Sequence, residues 1–123
     1  MTIQQKRGKF VVIKNITTNL LGGMDMNVQR CLEILREVKD VAFATVDEKG
    51  LPQIRIIDVM LVENEKLYFC TARGKDFYSQ IIKNSQVAIT GMNQNFQMIR
   101  LDGKAEKLEE HRKWIDRIFE ENP

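Results

Sequence analysis

Histidine, cysteine and long apolar runs are scarce in this sequence, and each shortage removes a class of function. His111 is the single histidine among 123 residues, and it falls in a stretch dense in charge, where a surface position is the plain reading. With no second histidine and no cysteines or carboxylates clustered at ligand spacing, neither a structural zinc site nor a catalytic metal centre is expected. Cys31 and Cys70, the two cysteines, fall in different predicted elements, and without a secretion signal the reduced state is the expectation. The longest apolar run near the start, Phe10 to Ile13, is broken by Lys14 and is too short for a signal sequence or a membrane span. The chain therefore reads as cytoplasmic, with no membrane partner. No Gly-x-Ser-x-Gly turn, P-loop or dinucleotide fingerprint occurs. The acid pairs Glu109-Glu110 and Glu120-Glu121 are adjacent on a helix and point apart, so they read as solvated faces.

What is present describes one globular domain: 43% of the residues are hydrophobic and 29% are charged. A closed eight-stranded α/β barrel, at roughly 250 residues, does not fit. A chain of this size buries roughly two-thirds of its unfolded surface. A large internal pocket would remove core that it needs, so a sizeable site is expected to be shared between two copies. The isoelectric point near 8.6 invites a nucleic-acid reading. Yet residues 1 to 26 hold Lys6, Arg7, Lys9 and Lys14 against Asp25 alone, while the other 97 residues hold 15 positive and 16 negative side chains. A body near neutrality lacks the footprint that phosphate-backbone binding requires, and no nucleic-acid partner is expected.

Asn27 can cap a helix in which Val28, Cys31, Leu32, Leu35 and Val38 recur on one face. Val41 to Val46 reads as a strand, and Asp47-Glu48-Lys49-Gly50 as a turn in which Gly50 can take positive φ. Gln53 to Val62 is the next strand, Glu63-Asn64-Glu65 a second turn, and Leu67 to Thr71 a third strand completing a meander. A short helix is expected over 76 to 84, then a hairpin of Val87 to Met92 and Phe96 to Ala105 around Asn93-Gln94-Asn95. A last helix, about 107 to 120, buries Leu108, Ile115, Ile118 and Phe119. Val41-Ala42-Phe43-Ala44 and Val87-Ala88-Ile89 are apolar on both faces, which in antiparallel order points to a small barrel covered outside by helices or a partner subunit. The fold class is α+β, mainly β: a small antiparallel split barrel with flanking helices.

The first residues do not fit this scheme. Lys9 to Asn15 could add a strand, but Leu21-Gly22-Gly23-Met24-Asp25-Met26 is what a translated ribosome-binding sequence would give. On that hypothesis the natural start is Met24 or Met26, and residues 1 to 26 are an extension not needed for folding, ahead of a domain at 27 to 123.

The segment richest in chemistry is Leu67-Tyr68-Phe69-Cys70-Thr71-Ala72-Arg73-Gly74-Lys75-Asp76-Phe77-Tyr78, a strand that leads through a hydroxyl, two cations and a glycine into a helix start. Unpaired N–H groups at a helix start favour an anion, and Thr71, Arg73 and Lys75 could hold a phosphate there. The plainer reading is a solvated turn with both cations in water. Arg55, between isoleucines on a central strand, must be paired or hydrogen-bonded if buried. The alternative places it on the barrel exterior, reaching solvent. Asp58, three residues on, points to the opposite face and is a poor partner. Arg100 poses the same question more weakly.

The stretch Val41 to Val46, Asp47-Glu48-Lys49-Gly50-Leu51-Pro52, the strand carrying Arg55, the turn Tyr68-Phe69-Cys70-Thr71-Ala72-Arg73-Gly74-Lys75 and Asn84-Ser85-Gln86-Val87-Ala88 together resemble the pyridoxamine 5'-phosphate oxidase-like FMN-binding split barrels, over about residues 27 to 120. The resemblance implies a six-stranded barrel, a homodimer and one FMN in each of two clefts at the subunit interface. It implies that Arg55 holds FMN with Ile56 and Ile57 along the flavin. Thr71, Arg73 and Lys75 would grip the ribityl phosphate, and Cys70 would supply backbone contact. The implied activity is an FMN-dependent oxidoreductase acting on a small molecule, with its electron donor unnamed and no catalytic side chain apparent; Tyr78 is the one nearby proton donor. Alternatives are a non-catalytic flavin carrier or sensor, and a ligand-free dimeric scaffold. The true oxidases carry a C-terminal segment with Arg and His that has no match here, so vitamin B6 oxidation is not expected. Heme-binding relatives usually need a histidine, which counts against heme; a deazaflavin in place of FMN stays open.

Overall fold

The computed structural model describes residues 8–20, 27–72, 76–108 and 111–122, with the side chains of residues 8, 9, 19, 20, 71, 72, 76–78, 111, 112 and 115 left aside. In chain order the elements are β1 (Gly8–Leu20), α1 (Val28–Val38), β2 (Asp40–Val46), β3 (Pro52–Asp58), β4 (Leu61–Glu63), β5 (Lys66–Ala72), α2 (Asp76–Lys83), β6 (Gln86–Met92), β7 (Met98–Lys107) and α3 (His111–Glu121). The strands form one antiparallel sheet in the order β3-β2-β6-β7-β1-β5-β4. This is the small split-barrel architecture that the two-faced apolar strands imply. Among the described residues, no helix is long and apolar enough to cross a membrane.

Two expectations are corrected by the sheet. The predicted strand Gln53 to Val62 is two strands, β3 and β4, which lie at opposite edges of the sheet, so no meander forms. The break sits where backbone pairing changes sides: the Val59 N–H donates to the Lys39 carbonyl next to β2, and the Met60 N–H donates to the Tyr68 carbonyl on β5. One length of chain thereby serves both edges and curls the sheet toward closure. The second correction concerns strand number. The sheet has seven strands, and β1 lies in its interior, hydrogen-bonded to β7 on one side and β5 on the other. Gly8–Leu20, part of the stretch read as an extension, is thus an interior strand of the sheet. The final helix also starts later than expected, because Lys107 still belongs to β7 and the Leu108 N–H donates to the Phe10 carbonyl of β1.

Alternation along β1 feeds two cores. Val11 and Ile13 enter the barrel interior with Phe43, Leu67, Phe69, Ile89 and Ile99, closed by Leu32, Ile34 and Leu35 of α1 and Ile81 of α2. Phe10 and Val12 face outward into a second cluster with Leu61, Tyr68 and Ile118, where Trp114 of α3 stacks on Tyr68 with ring centroids 4.6 Å apart. Arg117 of α3 pairs with Glu63 of β4, and the Asn122 side-chain amide donates to the Met60 carbonyl. So α3 covers the outside of β1, β5 and β4. The outside of β3, β2, β6 and β7 has no such cover among the described residues: Ile54 and Ile56 are 70% and 65% exposed.

β1 passes β7 closely at a register shift between Lys14 and Thr17. A Cβ at Gly103 of β7 would stand 2.9 Å from the Lys14 carbonyl oxygen, and backbone there cannot yield as a flexible side chain can. The glycine is what lets the two strands approach.

Candidate functional site

The site around Arg55 begins with the turn before it. Asp47 Oδ1 accepts from the Lys49 and Leu51 N–H groups, both at 2.9 Å, and Oδ2 accepts from Gln53 Nε2 at 3.0 Å. The Leu51 bond foremost, with the other bonds, holds the Asp47 carboxyl below its ordinary pKa. Gly50, at φ +80, closes the turn in a conformation that an L side chain resists. β3 therefore leaves the turn in fixed register with β2, with Gln53 opposite Thr45, Arg55 opposite Phe43 and Ile57 opposite Val41.

Because side chains alternate along a strand, Arg55 shares the inward side of the sheet with Phe43 and Thr45. The plain reading that put it on the exterior is overturned. Its Nη1 donates to Thr45 Oγ1 at 2.9 Å and its Nη2 to Gln80 Oε1 at 3.1 Å. The Thr45 hydroxyl donates to the same Gln80 oxygen at 3.1 Å. Three side chains from β3, β2 and α2 thus close a ring of hydrogen bonds. Thr45 is 2% exposed, so its hydroxyl requires these partners. Partial burial pulls the Arg55 pKa down, yet a guanidinium stays charged at neutral pH. Gln80 also lines a cleft of about 370 Å³ with Val46, Asp47, Glu48, Lys83 and Asn84, which opens this corner to the surface.

The other expected site residues divide. Ile57 is packed in the barrel core on the same side of β3 as Arg55, whereas Ile56 stands on the outer face, away from the guanidinium. Cys70 is half-buried beside the outer cluster, and burial pushes its thiol up to about 11, so it is protonated at neutral pH. Thr71 lies on β5 opposite Lys9 of β1, its side chain outside the described set. Arg73 and Lys75 lie outside the described residues. Gln80 is four residues into α2, about 6 Å along the helix axis from its first residue. The ring that holds Arg55 is therefore anchored one turn beyond the point where the basic segment enters the helix. Arg100 is exposed on the outer sheet face, where it lines a shallow depression of about 260 Å³ with Ala42, Ala44, Ile54 and Ala88.

A model of the pyridoxamine 5'-phosphate oxidase family matches residues 28–121, from the first turn of α1 to the last of α3. The chain belongs to this family. Comparison with curated proteins finds no match. The segment matched to the pyridoxamine 5'-phosphate oxidase family leaves out β1, although β1 is an interior strand of the sheet.

Thr45 and Gln80 were not singled out in the sequence. A signal for Thr45 existed: it continues the Val41, Phe43 inward series, and a hydroxyl in such a series needs a buried partner. None existed for Gln80, whose bonds join residues 35 and 25 positions away.

Asp58 lies on the face opposite Arg55, as its spacing requires. It stands across from Asp40, 3.9 Å from Lys39, and its Oδ1 is buried with no hydrogen-bond partner among the described residues. Burial outweighs the Lys39 attraction and raises its pKa. A raised folded pKa means that the favourable contribution is complete below the unfolded value, near ~3.9, and is lost as pH rises through the folded pKa. Asp58→Asn should therefore raise the urea midpoint at pH 7 and leave it nearly unchanged at pH 3.5. An equal shift at both pH values would assign the effect to something other than the charge.

Proposed function

We propose that this chain binds FMN and acts as a flavin-dependent oxidoreductase on a small-molecule substrate, as a homodimer. Family membership supports the cofactor class. The observation that carries the reading is the orientation of Arg55 by two neutral side chains next to the helix that follows Thr71, Arg73 and Lys75. Thr45 and Gln80 orient the guanidinium, and an oriented guanidinium suits an anionic or carbonyl-rich ligand. The four side chains in question are one hydroxyl and three cations, a donor set that fits a phosphate monoester on a flavin.

When bound, the flavin supplies the redox chemistry. The protein's share is binding, orientation and exclusion of water. Arg55 would donate from its oriented guanidinium, Thr71 would donate a hydroxyl hydrogen bond, and Arg73 with Lys75 would neutralise the phosphate. Cys70, half-buried and with its thiol pKa raised by burial, would act through its backbone and not as a nucleophile. The homodimer is supported by the uncovered apolar face on β3, β2 and β6 and by the small size of the two clefts described, which lie near the lower end for ligand sites.

The test is to titrate purified protein with FMN, FAD, riboflavin and a deazaflavin, following flavin fluorescence, and to repeat it with Arg55→Ala. FMN should bind preferentially, and Arg55→Ala should weaken it about 10- to 100-fold, the range for a hydrogen bond to a charged group. A wild-type protein that binds no flavin would refute the assignment. Bound FMN that neither NADH nor NADPH reduces would make the chain a carrier or sensor instead of an oxidoreductase.

A further inference from the structure

We infer that Gln80 and Thr45 are positioning residues for Arg55, acting on ligand binding through the guanidinium and not by contact of their own. The inference deepens the flavin reading and rests on it for the identity of the ligand. Its structural part rests on the hydrogen-bond ring alone.

The ring has a defined polarity. Arg55 can only donate, so its two Nη groups require an oxygen on each neighbour. Thr45 supplies one by accepting at 2.9 Å, which leaves its own hydrogen to point away from the guanidinium. That hydrogen reaches Gln80 Oε1 at 3.1 Å, and the same oxygen takes Arg55 Nη2 at 3.1 Å. An amide oxygen has two lone pairs, and here two donors converge on them. The reversed amide would set its NH2 group against both donors, so only one orientation of Gln80 satisfies the ring. Two acceptors on different nitrogens constrain both the place and the plane of the guanidinium.

The scaffold makes this directional. Thr45 is buried on β2, which is paired on both sides by β3 and β6, so its oxygen does not move independently of the barrel. Gln80 sits beside Ile81, which anchors α2 in the barrel core. Arg55 is therefore referenced at once to the sheet and to the helix that the basic segment enters. A displacement of α2 would be transmitted to the guanidinium through Gln80.

The experiment uses the full chain with Gln80→Met, Thr45→Val, Thr45→Ser and a helix control, Ser79→Ala. The first readout is the NMR signal of the Arg55 guanidinium N–H groups, assigned by its disappearance in Arg55→Lys. The second is affinity for FMN. Gln80→Met and Thr45→Val should broaden or abolish the Arg55 signal and weaken FMN about tenfold, the scale of one charge-assisted hydrogen bond. Thr45→Ser restores the oxygen and should restore both readouts. In the Arg55→Ala background, Gln80→Met should cause no further loss of affinity, because nothing remains to be positioned. Should Thr45→Val fail to unfold cooperatively in urea, Gln80→Met on the half-buried helix carries the test. An Arg55 signal unchanged in Gln80→Met, or a loss of affinity that adds to that of Arg55→Ala, would overturn the proposal. If the wild-type protein binds no flavin while its Arg55 signal still depends on Gln80 and Thr45, the cofactor reading falls and the positioning role stands.

Discussion

A chain begun at Met26 should fail to fold. β1 is hydrogen-bonded on both sides, so its removal leaves the facing edges of β5 and β7 unpaired in the middle of the sheet. It also removes Phe10, Val11, Val12 and Ile13, which are 2%, 0%, 8% and 0% exposed. Full burial of such a side chain is worth about 1.5–3 kcal/mol. Four of them approach the whole of a typical domain's stability, about 5–15 kcal/mol. The loss is not confined to one core: Val11 and Ile13 belong to the barrel interior, Phe10 and Val12 to the cluster beneath α3. The measurement is urea unfolding followed by far-UV circular dichroism. The shortened chain should show no cooperative transition. A transition at the full-length midpoint would mean that β1 is an accessory strand and that residues 27 to 123 are the folding unit.

The fate of that strand shows where sequence reasoning reaches and where it stops. Local chemistry was legible: Asn27 caps α1 through its side-chain oxygen on Arg30 N–H at 2.8 Å, and the Asp47 to Gly50 and Asn93 to Asn95 turns join the strands they were expected to join. These features depend on residues a few positions apart. The place of β1 was not legible, because Phe10 to Ile13 is a continuous apolar run that reads as a weak strand until two separate cores claim its alternate side chains. The break at Val59-Met60 was hidden for a similar reason. Ile56 to Val62 is apolar nearly throughout, and only bonds to Lys39 and Tyr68 decide which sheet edge each half joins. At the site, the sequence presented Arg55 with two environments and could not choose between them. The choice follows from Thr45 and Gln80, neighbours that only the curled sheet brings together. The basic segment through Lys75 was legible as chemistry, and its expected role in phosphate binding stands as a proposal.

Replacing both Ile54 and Ile56 by Asp should convert the proposed dimer to a folded monomer. These side chains project outward from β3 opposite Ala44 and Ala42, and the next strand continues the surface with Ala88 and Thr90. Small residues thus make a flat floor beside two large aliphatic groups, the composition of a surface that another surface covers. α3 protects the other half of the barrel exterior, so the same sheet has one covered and one uncovered outer face. In a two-fold symmetric pair each substitution acts twice. Four isoleucines at roughly 1.5 kcal/mol each correspond to about four orders of magnitude in the dimer dissociation constant. Burying the new carboxylates would add to the penalty. The positions are exposed in a single copy, so the fold itself should survive. Sedimentation velocity over a dilution series, with urea unfolding as the control for folding, measures both consequences. FMN affinity should fall together with the dimer if each cleft needs both copies. A double variant that stays dimeric, or a wild-type protein that sediments as a monomer at all concentrations, would remove this face from the interface.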